Sequence, residues 1–410
     1  MCVRCAIDRR SLLAGGGALA AASMAGVAQA RIRPADMVPL IGPGYRPPDK
    51  DEQGLWQQME RVEEEIAGSN LLIEDEGVTA YVRDLIGKVG GPAASDMRIF
   101  YVARIPEFNA MMFPTGFAIV FSGLLLRMRN EAQLAGVIAH ESGHFLRRHM
   151  IRQWRDMRRK TDFLSIGAMV AGVGGAGAGV YTGDFVRLAE LGAILSLFRY
   201  SRELEAEADA MGAKLIAEAG YAPIEMSNTW GQLIGELDAS ARYRRKRRDR
   251  GYGLFDTHPA ADSRLADLRA TAMELTVPGR TYDTGRTRYL EAIAPIRQMM
   301  LDDQVKLNDP GASQYVIETL AIDGWNGPLR FYEGEIWRLR NRDSEGDMAR
   351  AEKSYAIAVA YPDAPPEAFR WHGLSLIRQG RQPEGRAALA RYLTMKPDAT
   401  DAPFIRQMIG

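Results

Sequence analysis

The run His140-Glu141-Ser142-Gly143-His144 constrains the fold of this chain more than any other feature of the sequence. Apolar residues recur at helical spacing around it, and Asn130 with Gln133 fits a capping box, so we predict a helix from about 131 to 150. Residues four apart share one face of a helix, so both imidazoles can reach one metal ion while Glu141 projects beside them. The run therefore predicts a metal-binding helix.

The chemistry of this arrangement is that of a zinc hydrolase. Catalytic zinc usually takes three protein ligands and leaves the fourth position to water, whose pKa falls to about 7. A neighbouring carboxylate can take a proton from that water and deliver it to a leaving amine. We predict one Zn²⁺ per chain, with His140 and His144 as ligands and Glu141 as general base. The alternative is a chance match on an ordinary amphipathic helix.

The position of a third ligand discriminates between classes of zinc protease. A metzincin requires a glycine three residues after His144 and a histidine three residues further on, where this chain has Arg147 and Met150. That class is excluded. In a continuous helix His149 points away from the metal-binding face, so we interpret it as a surface or packing residue.

The better candidate lies in the alanine- and glutamate-rich run 200–209, which is helical by propensity. Glu205 and Asp209 are four residues apart and share a face. Glu205 can contact the metal while Asp209 hydrogen-bonds the far nitrogen of a ligating histidine. Glu203 and Glu207 are interpreted as solvated side chains.

The chain resembles the gluzincin metallopeptidases that include the HtpX protease and the CAAX prenyl proteases. Its Ser201, Arg202, Glu205, Ala208 and Asp209 match that family's SRxxExxAD motif after HExxH. The resemblance spans roughly 52–270. It implies that His140, His144 and Glu205 bind zinc, that Glu141 is the general base and that Asp209 orients a ligand.

Two further segments carry the same resemblance. The segment 109–116 looks like the family's NAxxxPGG strand region, although Thr115 stands where glycine is more usual. Thr257-His258-Pro259 followed by Arg264-Leu265 looks like its THPxxxxRL motif. The strand region is expected to bind substrate by pairing with an extended peptide, as an edge strand can; its matching residues are Asn109, Ala110, Pro114 and Gly116.

His258 has two interpretations. Pro259 suits a first helical position, so His258 can simply precede a helix that runs to about Leu275. In periplasmic members of the family, of the BepA type, the equivalent histidine looks like a switch that occupies the fourth zinc position. A zinc site closed by four protein ligands cannot activate water.

The first thirty residues read as an export signal. Arginines precede an apolar stretch at 12–27, and Ala28-Gln29-Ala30 is a suitable cleavage site, so a periplasmic mature chain would start near Arg31. The segment 8–13 also fits a twin-arginine signal, and an uncleaved membrane anchor is the alternative. Cys2 and Cys5 both lie here, so the mature chain would have neither disulfides nor thiolate ligands.

Charge and hydrophobicity suggest contact with a membrane surface. Lys plus Arg and Asp plus Glu both number 52, which gives no global attraction to nucleic acid. Basic runs at 147–160 and 242–248 flank the predicted site and could bind anionic headgroups. The glycine-rich segment 163–180 is weakly hydrophobic for a membrane span. It is expected to form a small-residue hairpin that touches the membrane, or else a buried one.

The predicted fold is α+β and mostly α. A proline-rich leader at 31–50 precedes a zincin-like metallopeptidase domain at 51–275, with one small sheet from strands near 98–104 and 117–121. Residues 285–410 form a second, α-helical domain of tetratricopeptide type. The spacing of Phe369, Gly373, Leu376, Gly380, Leu389 and Pro397 follows that 34-residue repeat, and generic helical hairpins are the alternative.

These features predict an exported zinc metalloendopeptidase that cleaves unfolded or misassembled envelope proteins. The resemblance further implies a role in outer-membrane protein assembly and quality control, with the repeats contacting envelope assembly machinery. One alternative is a chaperone-like scaffold whose zinc site stays closed. Another is an integral-membrane processing protease.

Overall fold

The structure is a computed structural model that describes residues 41–97, 99–160, 200–246, 262–340 and 344–410. The predicted signal, most of the leader, the glycine-rich segment 163–180 and His258 lie outside the described residues. In chain order the strands are β1 (Ile99–Ala103), β2 (Ala110–Met112) and β3 (Phe117–Phe121). The helices are α1 (Lys50–Ala67), α2 (Glu76–Val89), α3 (Ser122–Arg127), α4 (Glu131–Leu146), α5 (His149–Lys160), α6 (Arg202–Glu218), α7 (Ile224–Arg244), α8 (Asp262–Leu275), α9 (Arg286–Lys306), α10 (Pro310–Leu320), α11 (Gly327–Arg340), α12 (Ser344–Ala358), α13 (Pro366–Arg378), α14 (Gln382–Met395) and α15 (Ala402–Ile409).

The predicted fold class is confirmed, because helices dominate and the described strands form one three-stranded sheet. The strand order is β1-β3-β2, with β1 parallel to β3 and β2 antiparallel to it. Ile99 pairs with Phe117, and Ala110 pairs with Val120. Every residue of the central strand β3 is buried, as a strand covered on both faces requires. The edge strand β2 packs against α4, so the sheet lies directly beside the helix that carries His140 and His144.

Helix α4 begins at the predicted cap and ends earlier than predicted. The Asn130 side chain accepts a hydrogen bond from the Gln133 amide at 2.9 Å, which satisfies one of the unpaired donors of the first turn. The predicted continuation to about Met150 is wrong. Arg148 adopts a left-handed conformation with φ of 55°, so the chain turns after Leu146 and a new helix starts at His149. This break changes the direction in which His149 points.

Two glycines allow α4 and α6 to approach closely. A Cβ atom on Gly143 would lie 2.9 Å from the Ala208 carbonyl oxygen, and one on Gly212 would lie 2.9 Å from the His140 amide nitrogen. Real Cβ atoms almost never come so close to backbone. The contact therefore depends on glycine, and it brings the segment that carries His140 and His144 next to the segment that carries Glu205.

Substitution of Gly212 by alanine is expected to push α4 and α6 apart. Overpacking of this kind costs about 1–3 kcal/mol of unfolding free energy, and here it would also weaken metal binding. Gly54→Ala is the matched control, because a Cβ on Gly54 in α1 meets nothing within 4 Å and alanine favours helix. Denaturant unfolding and zinc titration of both variants check the prediction. Equal stabilities of the two variants would contradict it.

Two of the C-terminal helix pairs pack closely, α11 with α12 and α13 with α14, and α15 follows against α14; α10 instead packs mainly against α7. Corresponding glycines mediate the close contact in both pairs. A Cβ on Gly334 would meet the Tyr355 ring at 2.4 Å, and one on Gly373 would meet Leu389 at 2.8 Å. Gly373 of the repeat spacing therefore serves helix packing within its pair, and Gly334 has the same role in the pair before it.

The region up to α8 and the helical array from α9 onward share one apolar core. This core runs from Ile41 to Ala368 and includes Tyr289 and Ile293 of α9. A buried polar cluster reinforces it: Arg127 donates to Glu236 at 2.7 Å and to Gln304 of α9 at 2.8 Å. Arg288 of α9 also pairs with Glu131 in the first turn of α4 at 2.7 Å, so the first helix of the array supports α4 directly. Among the described residues, no helix combines the length and apolar character needed to cross a bilayer.

Candidate metal centre

His140, His144 and Glu205 come together at the contact between α4 and α6. Their ligand atoms lie within 4.8 Å of one another, and all three residues are buried. The two Nε2 atoms are 3.1 Å apart. Glu205 Oε2 lies 3.5 Å from His140 Nε2, and Glu205 Oε1 lies 3.6 Å from His144 Nε2.

These separations fit a tetrahedral metal ion. With bonds of roughly 2.0–2.1 Å, ligand atoms around tetrahedral zinc lie about 3.4 Å apart. The three measured separations of 3.1, 3.5 and 3.6 Å bracket that value. Two imidazoles and one carboxylate are also a usual donor set for catalytic zinc. The three side chains can therefore hold a metal ion with little rearrangement.

Asp209 supports His140 from behind. Its Oδ1 lies 2.9 Å from His140 Nδ1, one turn along α6 from Glu205. Burial opposes ionisation of Asp209, but the Arg264 guanidinium and the contact with His140 hold the pKa of this carboxyl well below its ordinary value. The Asp209 carboxylate is thus ionised and can accept a hydrogen bond from the Nδ1–H group of His140. This is the contact that the sequence predicts between Asp209 and a ligating histidine.

Arg264 of α8 is a buried cation at the site, although no spacing in the sequence predicts a role for it there. Its Nη1 lies 2.6 Å from Glu205 Oε2, and its Nε lies 2.6 Å from Asp209 Oδ2. Its guanidinium also stacks over Trp230 at 4.0 Å from the ring centroid. Arg264 thus connects the predicted third ligand to the carboxylate behind His140. The THPxxxxRL match was the only sequence signal for this role.

Glu141 and Tyr200 complete the buried surroundings. Glu141 follows His140 in α4 and is 4% exposed. The Tyr200 ring stacks on His144 with 3.9 Å between ring centroids. Burial first, and then the charges of Glu141 and Glu205, raise the pKa of Tyr200 well above its ordinary value. Tyr200 is therefore a neutral hydroxyl held against a ligand ring.

His149 and Glu207 differ from their sequence-based interpretation. His149 is completely buried, and its Nδ1 lies 2.9 Å from His144 Nδ1. Its Nε2 lies 3.2 Å from Glu207 Oε2, and Glu207 also accepts from Arg152 at 2.8 Å. The surface interpretation of His149 is therefore wrong and the packing alternative is the one that fits its burial, whereas Glu207 is not a solvated side chain. The left-handed turn at Arg148 turns His149 back onto the ligand.

The predicted substrate residues lie in a hairpin rather than along one strand. Ala110 begins β2 and Asn109 precedes it, whereas Pro114 and Gly116 lie in the turn before β3. Gly116 has φ of 90°, and a Cβ there would lie 2.2 Å from the Asp96 carbonyl oxygen. This glycine is required by the backbone itself. His258 lies outside the described residues, and the described part of α8 begins at Asp262.

Comparison with known proteins identifies the region that contains this site. Residues 73–272 match the family model for peptidase family M48. The match begins just before α2 and ends near the end of α8, so it includes all of the residues grouped around the candidate metal position.

Several known proteins are similar to part of this chain. The beta-barrel assembly-enhancing protease of Escherichia coli is 29% identical over 218 residues, which cover 52% of this chain and 42% of that protein. A putative beta-barrel assembly-enhancing protease of Vibrio cholerae is 27% identical over 55% of this chain and 46% of its own length. The mitochondrial metalloendopeptidase OMA1 of Arabidopsis thaliana is 32% identical over 42% of this chain and 31% of its own length. The chain thus spans less than half the length of each of these relatives.

Proposed function

We propose that this chain, in which residues 73–272 form a peptidase family M48 domain, is a zinc-dependent endopeptidase that hydrolyses unfolded or misassembled proteins of the cell envelope. The observation that carries the proposal is the buried cluster of His140, His144 and Glu205, with Glu141 beside it in α4. Three ligands of this type leave one position of a tetrahedral zinc ion for chemistry. A structural zinc site would normally be closed by a fourth protein ligand.

The proposed mechanism assigns a role to each buried side chain. When bound, zinc would acidify water and polarise the scissile carbonyl. Glu141 would take a proton from the attacking water and deliver it to the leaving nitrogen. Asp209 would hold the His140 ring through its Nδ1 atom, and Arg264 would keep Asp209 and Glu205 ionised in their buried position.

Substrate would bind to the hairpin of β2 and β3. The supporting observation is that β2 is an edge strand of the sheet and packs against α4. An extended peptide can pair with an edge strand through main-chain hydrogen bonds, which do not depend on its sequence. This mode of binding suits an enzyme that acts on unfolded chains. Folded proteins lack such accessible extended segments.

The envelope location and partners are also part of the proposal. They are supported by the export signal read from residues 1–30 and by the names of the similar bacterial proteins, which are called beta-barrel assembly-enhancing proteases. The stacked helices from α9 to α15 would contact assembly machinery, since such arrays offer concave binding surfaces. The two basic runs of the sequence, 147–160 and 242–248, would favour peripheral contact with anionic lipid.

Removal of metal tests the proposed function directly. Incubation of the mature chain with a chelator is expected to abolish cleavage of unfolded casein and to lower the thermal unfolding midpoint. At a thousandfold excess over its Kd, a bound ion stabilises the folded state by about 4 kcal/mol. Restored zinc should recover both cleavage and stability, whereas magnesium, which prefers oxygen ligands, should not. Casein cleavage that persists in the chelated protein would refute the proposal.

His258 is proposed to act at the fourth zinc position. It lies six residues before Arg264, which contacts both Glu205 and Asp209, so the chain between them is short. His258→Ala in the casein assay separates the two roles of this residue. Faster cleavage indicates an inhibitory switch, and slower cleavage with zinc retained indicates assistance in catalysis.

A further inference from the structure

A chain of buried polar contacts extends from the rear of His144. His144 Nδ1 lies 2.9 Å from His149 Nδ1, and His149 Nε2 lies 3.2 Å from Glu207 Oε2. Two arginines hold Glu207, with Arg147 Nε at 3.1 Å and Arg152 Nη1 at 2.8 Å. His149 itself is 0% exposed. The contacts thus continue from a predicted metal ligand to an anchored carboxylate.

The positions of the ring protons follow from these contacts. A neutral imidazole carries one proton, and the nitrogen that binds a metal must keep its lone pair. His144 directs Nε2 toward Glu205 and His140, so its proton belongs on Nδ1. The Nδ1 atom of His149 can accept a hydrogen bond from this N–H group only if it is itself unprotonated. The proton of His149 then lies on Nε2, where it donates to Glu207, and each donor in the chain meets an acceptor.

We propose that His149 is a positioning residue that fixes the tautomer and the ring orientation of His144 for metal binding, with Glu207 as its anchor. The inference rests on the proposed function, since it concerns the same metal site. His140 receives equivalent support directly from Asp209. His144 receives it through an intervening imidazole, because α4 ends at Leu146 and the chain turns back at Arg148.

A purely space-filling role for His149 predicts different behaviour. The His149 ring packs edge-on against His144, with 4.8 Å between centroids, and also against Tyr200 at 6.1 Å. Phenylalanine would fill this space without accepting a hydrogen bond. Glutamine is smaller, but its carbonyl oxygen can accept from an imidazole N–H. If packing alone matters, the phenylalanine variant should bind metal better than the glutamine variant. A positioning role predicts the reverse order.

The test measures zinc affinity of the mature chain by competition with a chelating dye, without any assay of cleavage. Loss of an outer hydrogen-bond partner typically weakens metal binding 10–100-fold. We expect a loss in that range for His149→Phe and a smaller one for His149→Gln. His372→Phe is the matched control, because His372 lies in α13 of the array. The zinc affinity of this control variant should equal that of the unmodified chain.

A second position keeps the inference testable if the His149 variants fail to fold. Glu207→Leu removes the anchor and is expected to weaken zinc binding about tenfold, whereas Glu207→Gln retains a carbonyl acceptor and should lose less. The absorption spectrum of Co²⁺-loaded protein would shift in the leucine variant, because the ligand ring can then rotate.

The outcomes separate this inference from the proposed function. Unchanged zinc affinity in folded His149→Phe and Glu207→Leu proteins would overturn the positioning role. An unmodified chain that binds zinc tightly but cleaves no unfolded protein would instead overturn the proposed function and leave the positioning role intact.

Discussion

Replacement of Glu141 by glutamine is expected to lower the rate of casein cleavage about 10²–10⁴-fold while zinc content stays the same. That range is the usual contribution of a positioned general base. Glutamine has nearly the same shape as glutamate but cannot take a proton from water at neutral pH. Because Glu141 is not one of the three clustered ligands, its neutralisation should leave the metal in place. The measurement is kcat for cleavage together with metal analysis of the purified variant.

Glu203→Gln is the matched control for this substitution. Glu203 is an exposed glutamate in the first turn of α6, near Glu205 in sequence. Its neutralisation should change kcat by less than about twofold, because Glu203 is exposed and is not one of the clustered ligands. If the Glu141 variant cleaved as fast as this control, Glu141 would not be the base. Full function of the Glu141 variant in cells would favour a scaffold that acts through its helical array.

Replacement of Arg264 by glutamine is expected to cost about 3–5 kcal/mol of unfolding free energy in the metal-free protein. Arg264 is 8% exposed and compensates the carboxylates of Glu205 and Asp209, which are also buried. Without it, two buried negative charges would lose their main counter-charge. Bound zinc should reduce the loss, because the metal also compensates Glu205. Urea unfolding with and without zinc measures both effects.

An exposed ion pair provides the comparison. Arg244 pairs with Asp309 at 2.8 Å, but its side chain is 49% exposed, and such surface pairs contribute less than about 1 kcal/mol. Arg244→Gln should therefore change the urea midpoint only slightly, with or without zinc. A loss of similar size in both variants would show that Arg264 contributes no more than an ordinary surface charge.

Local spacing in the sequence predicts much of the metal site. The four-residue spacing of His140 and His144 places both rings on one helix face, and the same spacing relates Glu205 to Asp209. The capping pair at Asn130 and Gln133 likewise acts within a few residues. Such features depend on helix geometry alone, and therefore they can be read without knowledge of the tertiary fold.

The remaining contacts depend on events that local spacing does not encode. One left-handed residue, Arg148, turns His149 toward His144 instead of away from it. An unbroken helix was the simpler expectation, because arginine has no strong tendency to end a helix. Arg264 reaches the site from α8 only after three helices have packed together. Glu207 reads as a solvated residue in the sequence because its partners, His149, Arg147 and Arg152, come from another segment.

The cluster of Arg127, Glu236 and Gln304 also bears on how far the chain can be shortened. The two contacts of Arg127 span 109 and 177 positions of sequence, and the second partner belongs to the helical array. The region around the candidate metal site and the start of the array are therefore expected to unfold as one cooperative unit. A chain truncated near residue 275 would hold a complete set of proposed metal ligands, yet it would lack α9, which contacts the first turn of their own helix.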